Sequence, residues 1–200
     1  MTSLLSSAEI LSFHDTCHAT PNWAEAAPVR FEDGIWQVVE SNHRYNCLLW
    51  DEEDLARRQQ VPDYEIAANK RAIDGYNQNR NDAIERIDET LLGALASIQR
   101  KAGARLNSET AGSIIDRLSI LSLKIHHMRL QTIRADVDEA HMDRCRIRLL
   151  RFLEQRRDLA GCLDRLAAEA LRGEAWFKVY RQFKMYNDPN LNPAIYGEKS

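Results

Sequence analysis

Two stretches place polar side chains at helical spacing where a packed helix would carry apolar ones. Trp36, Val39, His43, Asn46, Trp50, Glu53 and Arg57 follow one another at steps of three and four, the spacing of one helix face. Lys70, Asp74, Asn77, Asn81 and Asp88 repeat the pattern further on. Such groups on a core-facing face are costly unless they pair with one another or with a ligand. Their chemistry is that of acid–base catalysis and ligand binding. His43 and His127 titrate nearest neutrality and are the expected acid/base groups. Glu53, Asp74 and Asp116 are expected to orient substrate groups or hold a divalent metal. Arg57, Lys70 and Lys124 would neutralise an anion, with Asn46, Asn77 and Asn81 as hydrogen-bonding partners of the ligand. Trp36 and Trp50 bracket His43 and Asn46, and large rings beside titratable groups shift their pKa values.

The alternative is a self-satisfied network: Lys70 with Asp74, Arg57 with Glu53, His43 with a carboxylate. Such networks occur in real cores and can fix register. The number of polar groups favours a ligand site built between facing helices. Its ligand stays open among a metal, a phosphate and sugar hydroxyls. The Glu-x-x-His pairing of di-iron bundles is absent, since Glu40-x-x-His43 occurs once. Glu53-Asp54 and Glu85-x-x-Asp88 loosely echo the paired acidic motifs of all-α nucleotide pyrophosphohydrolases, which keeps a metal-dependent pyrophosphohydrolase as a further alternative. Arg80 to Leu95 is a weak match to the first helix of all-α chorismate mutases. No P-loop, G-x-G-x-x-G, G-x-S-x-G or H-E-x-x-H is present.

The elements that must position these residues read as helices. Ser6-x-x-Glu9 is a capping box opening a short helix to about His18, with Ile10, Phe13, His14 and Cys17 on its buried face. Residues 19–33 read as a loop. A second helix is predicted from about Ile35 to Gln59, and a third from about Asp63, its N-cap, to Lys101. A fourth opens near Thr110 to Ser113 and runs to about Arg134. A fifth starts at Asp136-x-x-Glu139, kinks near Gly161 and ends at Gly173. A last helix covers Glu174 to Met185, and the proline-bearing tail beyond it is not regular helix.

No period-two run of β-branched residues stands out, so the fold class is all-α. The expected architecture is an antiparallel bundle of about four long helices plus short N- and C-terminal helices. One domain is expected over 1–200: an N-terminal helix and loop (1–34), the bundle (35–172), and a C-terminal helix and tail (173–200). The fourth helix is apolar nearly all round and belongs in the middle. It carries Asp116 and His127 about 16 Å apart along its axis, so each needs a partner from another helix. In the tail, Tyr180 to Pro189 mixes aromatics with bases. It either packs on the bundle or clamps phosphate through Arg181 and Lys184.

Composition bounds the partners. The 200 residues are 44% hydrophobic and 28% charged with net charge −3, which provides no basic footprint for nucleic acid. No apolar run approaches a membrane span, and the N-terminus does not read as a signal peptide, so a cytoplasmic location is expected. Cys17, Cys47, Cys145 and Cys162 form no C-x-x-C pair and match no zinc spacing, which suits reduced thiols. The run His14-Asp15-Thr16-Cys17-His18 offers ligands for a soft metal, although an i, i+4 histidine pair is also common by chance.

Several longer motifs carry a family resemblance. They are Asn42-His43-x-x-Asn46-x-x-Leu49-Trp50-x-x-Glu53-Asp54-x-Ala56-Arg57, Lys70-x-x-Ile73-Asp74-x-x-Asn77-Gln78-x-Arg80-Asn81-Asp82, and Ser108-Glu109-Thr110-x-Gly112-Ser113-x-x-Asp116-Arg117-Leu118-Ser119-Ile120-Leu121. Lys124-x-x-His127-Met128 and the Lys184 to Pro189 tail agree with them. Together they resemble a bacterial family known as domain of unknown function 4254. The Asp116 to Leu121 run is also similar to a second uncharacterised group from similar gene settings. Members of the first family are often encoded beside glycosyltransferases of surface-glycan pathways. The resemblance therefore implies a cytoplasmic role near sugar or nucleotide-sugar chemistry, and it supplies no catalytic residues. The expected function is binding of a phosphorylated sugar or nucleotide-linked ligand inside the bundle. The rival is a non-catalytic helical partner of a glycosyltransferase, docking through Arg144, Arg146, Arg148, Arg151, Arg156 and Arg157.

Overall fold

A computed structural model describes residues 4–197 and is built almost wholly of helices. Helix α1 spans Ser7–His18 and opens on the predicted capping box: Ser6 Oγ accepts from the Glu9 backbone N–H, and the Glu9 carboxylate accepts from Ser6 N–H. The expected loop after it contains a short helix, α2 (Trp23–Ala26), entered through Asn22 at φ 52°, a left-handed conformation that asparagine tolerates. Helices α3 (Gly34–Leu55) and α4 (Asp63–Ala94) lie side by side, and the short 56–62 connection makes them antiparallel. Helices α5 (Ala111–Gln131) and α6 (Glu139–Leu171) form a second such pair.

Helix α5 sits at the centre and touches α1, α3, α4 and α6. Its two apolar sides explain this. Ile114, Ile115, Leu118, Leu121, Leu123 and Ile125 are all buried. Around them close Ile10 and Phe13 of α1, Val38 and Val39 of α3, Ile87 and Leu91 of α4, and Leu159, Leu163 and Leu166 of α6. No helix among the described residues is long and apolar enough to cross a membrane.

Several boundaries differ from the sequence expectation. Helix α4 stops at Ala94 rather than Lys101, because the chain turns back to meet the end of α6. There Lys101 N–H donates to the Gly173 carbonyl at 2.9 Å. Gly173 has φ 68°, and a Cβ on it would lie 2.3 Å from the Gln99 carbonyl oxygen, so only glycine fits both the turn and the approach. The predicted helix over Glu174 to Met185 is absent. Instead β2 (Ala175–Trp176) pairs in parallel with β1 (Arg105–Leu106). Extended backbone places Ala175 and Phe177 in the core together, an alternation a helix cannot supply. Helix α6 is capped by Asp138, whose side chain accepts from His141 N–H, while Asp136 binds Arg134. The helix continues unbroken through Gly161. A 3₁₀ turn (Met185–Asn187) and α7 (Pro193–Tyr196) follow in the tail, with Pro193 at the helix start, where its missing N–H is harmless.

The start of α5 is pressed onto α4. A Cβ on Gly112 would lie 2.5 Å from the Ile84 carbonyl oxygen, and Gly112 N–H donates to Asp88 Oδ1 at 2.7 Å. Burial pushes the Asp88 carboxyl up to about 6, against hydrogen bonds from Thr110 and Gly112 that favour its charged form. Gly112→Ala is therefore expected to destabilise the protein by about 1–3 kcal/mol through overpacking, read as a lower urea midpoint; an unchanged midpoint would show that the two helices can separate freely here. For Asp88 the folded pKa lies above the free value, so the native state binds the proton more tightly. Its stabilising contribution is full below about pH 4 and is lost as pH rises through about 6, amounting to roughly 3 kcal/mol. Asp88→Asn should flatten the dependence of the urea midpoint over that interval, and an identical pH profile in the variant would refute the assignment.

Candidate functional site

The middle of the polar face of α3, from Asn42 to Asn46, meets α5. Asn42 Nδ2 and Asn46 Nδ2 each donate to Asp116 Oδ1 at 2.9 Å. Asn46 Nδ2 also reaches Ser119 Oγ at 3.0 Å, and His43 Nδ1 lies 2.8 Å from the same hydroxyl. Asn42, His43 and Ser119 are fully buried. The network is local in its logic. Asn42 and Asn46 stand one turn apart on α3, as Asp116 and Ser119 do on α5, so each pair shares a face.

Beyond His43 the imidazoles gather. His14 of α1 stacks on His43 with ring centroids 4.2 Å apart. His18, one turn further on α1, meets His43 edge-on at 4.9 Å and stacks on His126 of α5 at 4.9 Å. His127 stacks on Trp50 at 4.5 Å. Five of the six histidines thus lie in one cluster drawn from three helices. Burial, reinforced by neighbouring imidazoles, lowers His14 to about 3 and His18 to about 4. The same causes hold His43 well below its ordinary value and lower His127, while burial lowers His126. Burial likewise pushes the Cys17 thiol up to about 12 and raises Cys47 further. At neutral pH the cluster is therefore one of uncharged imidazoles and thiols. Both ring nitrogens of His14, His18 Nε2 and Trp50 Nε1 are buried without a hydrogen-bond partner. Orphaned polar atoms of this kind are expensive to keep.

A cavity of about 380 Å³ opens beside the cluster. His18, Trp23, Glu25, Cys47, Asp51 and His127 are among the residues that line it. Its outer wall is fixed from behind. The Arg44 guanidinium donates to the carbonyls of Trp23, Ala24 and Ala27 and pairs with buried Glu40 at 3.1 Å. Glu40 in turn accepts the backbone N–H groups of Arg30 and Phe31. One buried ion pair thus anchors the whole segment that carries α2. Asp51, in the mouth, has its carboxyl raised by burial and by nearby Glu25, Asp54 and Glu52.

The residues singled out from sequence separate into three places. His43, Asn46 and Asp116 sit in the buried network, and His127 lines the cavity beside Trp50. Glu53, Arg57 and Lys70 form a half-exposed cluster at the end of α3, with Glu53 bound to Arg57 at 2.5 Å and to Lys70 at 3.5 Å. Asp74 is exposed, Asn77 half-buried, and Lys124 exposed with its Nζ 5.9 Å above the Phe152 ring. Asn81 is buried beside a separate cavity of about 450 Å³, which Asp88 and Arg181 also line. Arg181 pairs with Glu85 and Glu89 and straps the tail to α4, and Lys184 is half-buried further along. Sequence reasoning passed over Ser119, Asp51 and Cys47 as members of the site, and weighed His18 only as a soft-metal ligand within the His14 to His18 run. Only the i, i+4 spacings of His14 with His18, His43 with Cys47, and Cys47 with Asp51 hinted at them.

Fold and site together define a helical bundle with a buried imidazole–amide network against an acidic, aromatic pocket. The family described as "Protein of unknown function (DUF4254)" matches residues 36–179, and the chain belongs to that family. The matched span holds His43, Cys47, Asp116, Ser119 and His127, while His14 and His18 precede it. No curated protein and no solved structure matches the chain.

Asp116 is the common acceptor of two buried amides. Asp116→Ala leaves both without it and is expected to lower stability by about 2–4 kcal/mol in urea unfolding. A variant as stable as the parent would mean that the network does not hold α3 to α5.

Proposed function

We propose that the protein binds the sugar portion of a phosphorylated or nucleotide-linked sugar in the pocket between α2, α3 and α5, in a step of glycan assembly. The observation that carries this is the pocket lining: neutral imidazoles, two carboxylates, an asparagine and the Trp23 ring around a space of about 380 Å³. Small-molecule sites combine such apolar faces with a few placed polar groups, and this volume falls at the small end of their range. Carboxylates and imidazoles suit hydroxyl donors and acceptors, and an aromatic ring suits the apolar face of a pyranose. The resemblance to proteins encoded beside glycosyltransferases supports the same chemistry. The cations Arg57, Lys70, Lys124, Arg181 and Lys184 are not among the lining residues. A phosphate or nucleotide would therefore extend outward from the pocket.

The echo of a pyrophosphohydrolase finds less support. Glu53 meets Lys70 near the start of α4, and Glu85 lies fifteen residues, about 22 Å, along that helix, so the two acidic pairs do not converge. A partner role has one favourable observation: Ile147 and Leu150 of α6 are 53% and 66% exposed among Arg144, Arg146, Arg148 and Arg151, the mixture found at interfaces.

Native mass spectrometry and tryptophan fluorescence of the full chain, with glucose 1-phosphate and UDP-glucose as probes, test the reading. A one-to-one adduct and a fluorescence change are expected with at least one probe. Asp51→Asn should weaken binding about tenfold, and Lys184→Ala should leave it within about twofold. A folded chain that binds neither probe overturns the sugar reading and shifts weight to the α6 surface.

A further inference from the structure

We propose that His18, His43 and Cys47 form a site for one borderline-soft divalent metal ion, best matched by zinc, at the base of the pocket. One ligand atom from each of the three lies within 4.8 Å of the others. Cys47 Sγ is 3.9 Å from His43 Nε2. A tetrahedral ion with nitrogen at about 2.1 Å and sulfur at about 2.3 Å holds its ligand atoms roughly 3.5 Å apart. Side-chain adjustments of about an ångström complete the set, and rotation of His18, the least buried of the three, is the easiest of them.

The donor set fits this ion class. Two imidazoles and a thiolate select zinc and its neighbours over magnesium or calcium, which prefer oxygen ligands. His18 Nε2 is buried with no hydrogen-bond partner, and a metal would supply what the protein does not. His43 is already oriented from behind, as ligating histidines are. Its Nδ1 faces Ser119 Oγ at 2.8 Å, so Nδ1–H can donate there while Nε2 turns its lone pair to the metal. Ser119 keeps a second lone pair for Asn46, and Asn46 is held by Asp116. The buried amide network thereby acts as the outer support of the metal site. Cys47 binds as thiolate, and its proton leaves to solvent as the ion enters.

Three protein ligands leave a fourth position. His18 and Cys47 both line the cavity, so that position faces the pocket, the arrangement of sites that accept water or substrate rather than purely structural ones. Asp51, one turn beyond Cys47, supplies a carboxylate on the same open side. Presentation of the open position to a sugar hydroxyl rests on the pocket reading above, whereas binding of the ion does not.

The test uses the purified full chain, stripped with a chelator and titrated with Co²⁺ alone, with no sugar present. One equivalent should give a thiolate-to-cobalt charge-transfer band in the near ultraviolet and the intense visible bands of a tetrahedral site. One equivalent of Zn²⁺ should abolish both. Cys47→Ser should remove the near-ultraviolet band, and His18→Gln should weaken Co²⁺ binding by at least about a hundredfold, more than loss of an outer-shell partner does. Cys162→Ser, at an exposed position on α6, should leave the spectrum unchanged. Circular dichroism confirms folding of each variant, and His18→Gln, at the half-buried position, serves should Cys47→Ser unfold. A folded parent chain without the thiolate band, or a band that survives Cys47→Ser, overturns the proposal. Because no sugar enters the experiment, failure of the pocket reading leaves its outcome untouched.

Discussion

Asp116 occupies a position that would be unstable without its neighbours. Its carboxylate is buried in the central helix, and the hydrogen bonds that reach it come from the amides of Asn42 and Asn46. Because those amides stand one turn apart on α3, both can grip the same oxygen only at one register of α3 against α5. Asn46 then reaches Ser119, one turn along α5, so a slip of α3 by one turn would leave at most one of the two amides on Asp116 and carry His43 away from Ser119. Buried polar networks of this kind set geometry more than they add stability, and here the geometry set is that of everything beyond Ser119.

What lies beyond Ser119 is the imidazole cluster. His43 is placed by Ser119 and then supports His14 by stacking and His18 by edge contact. The helix that brings those two rings, α1, packs on α5 and α6 and buries Ile10, Phe13 and Cys17 in the core. The apolar core thus delivers the ring nitrogens to a dry place, and dryness keeps them neutral. Rings that meet by stacking or edge contact do not aim their ring nitrogens at one another, and several of those atoms have no hydrogen bond. The pocket inherits this character on one side and the carboxylates of Glu25 and Asp51 on the other.

The charged residues at the far end of α3 follow a different rule. Glu53, Arg57 and Lys70 lie on the helical faces that would point inward, yet the helix is ending there and water reaches them. Exposed pairs of this type contribute little to stability, and their ready solvation lets them sit where the bundle opens. Arg181 is likewise engaged with Glu85 and Glu89 and serves to hold the tail. The buried ion pair of Glu40 with Arg44 differs in kind, because it also satisfies five backbone groups of the α2 segment and so shapes the pocket wall.

Caps and periodicity were enough to define the all-α class, the capped starts of α1 and α5, the central place of α5 and the polar face of α3, because each depends on residues within a turn or two of one another. Periodicity also showed that Asp116 and His127 need partners from other helices. It did not say which, since a helix face has a direction but no address. The meeting of His18 with His43 and Cys47, the pairing of β1 with β2, and the end of α4 at Ala94 all join residues far apart in the chain. Those contacts were decided by the tertiary structure: the polar network that seats α3 on α5, the closing of the apolar surfaces of α1 and α6 on α5, which buries Ala175 and Phe177, and the hydrogen bonding of the backbone around Gly173.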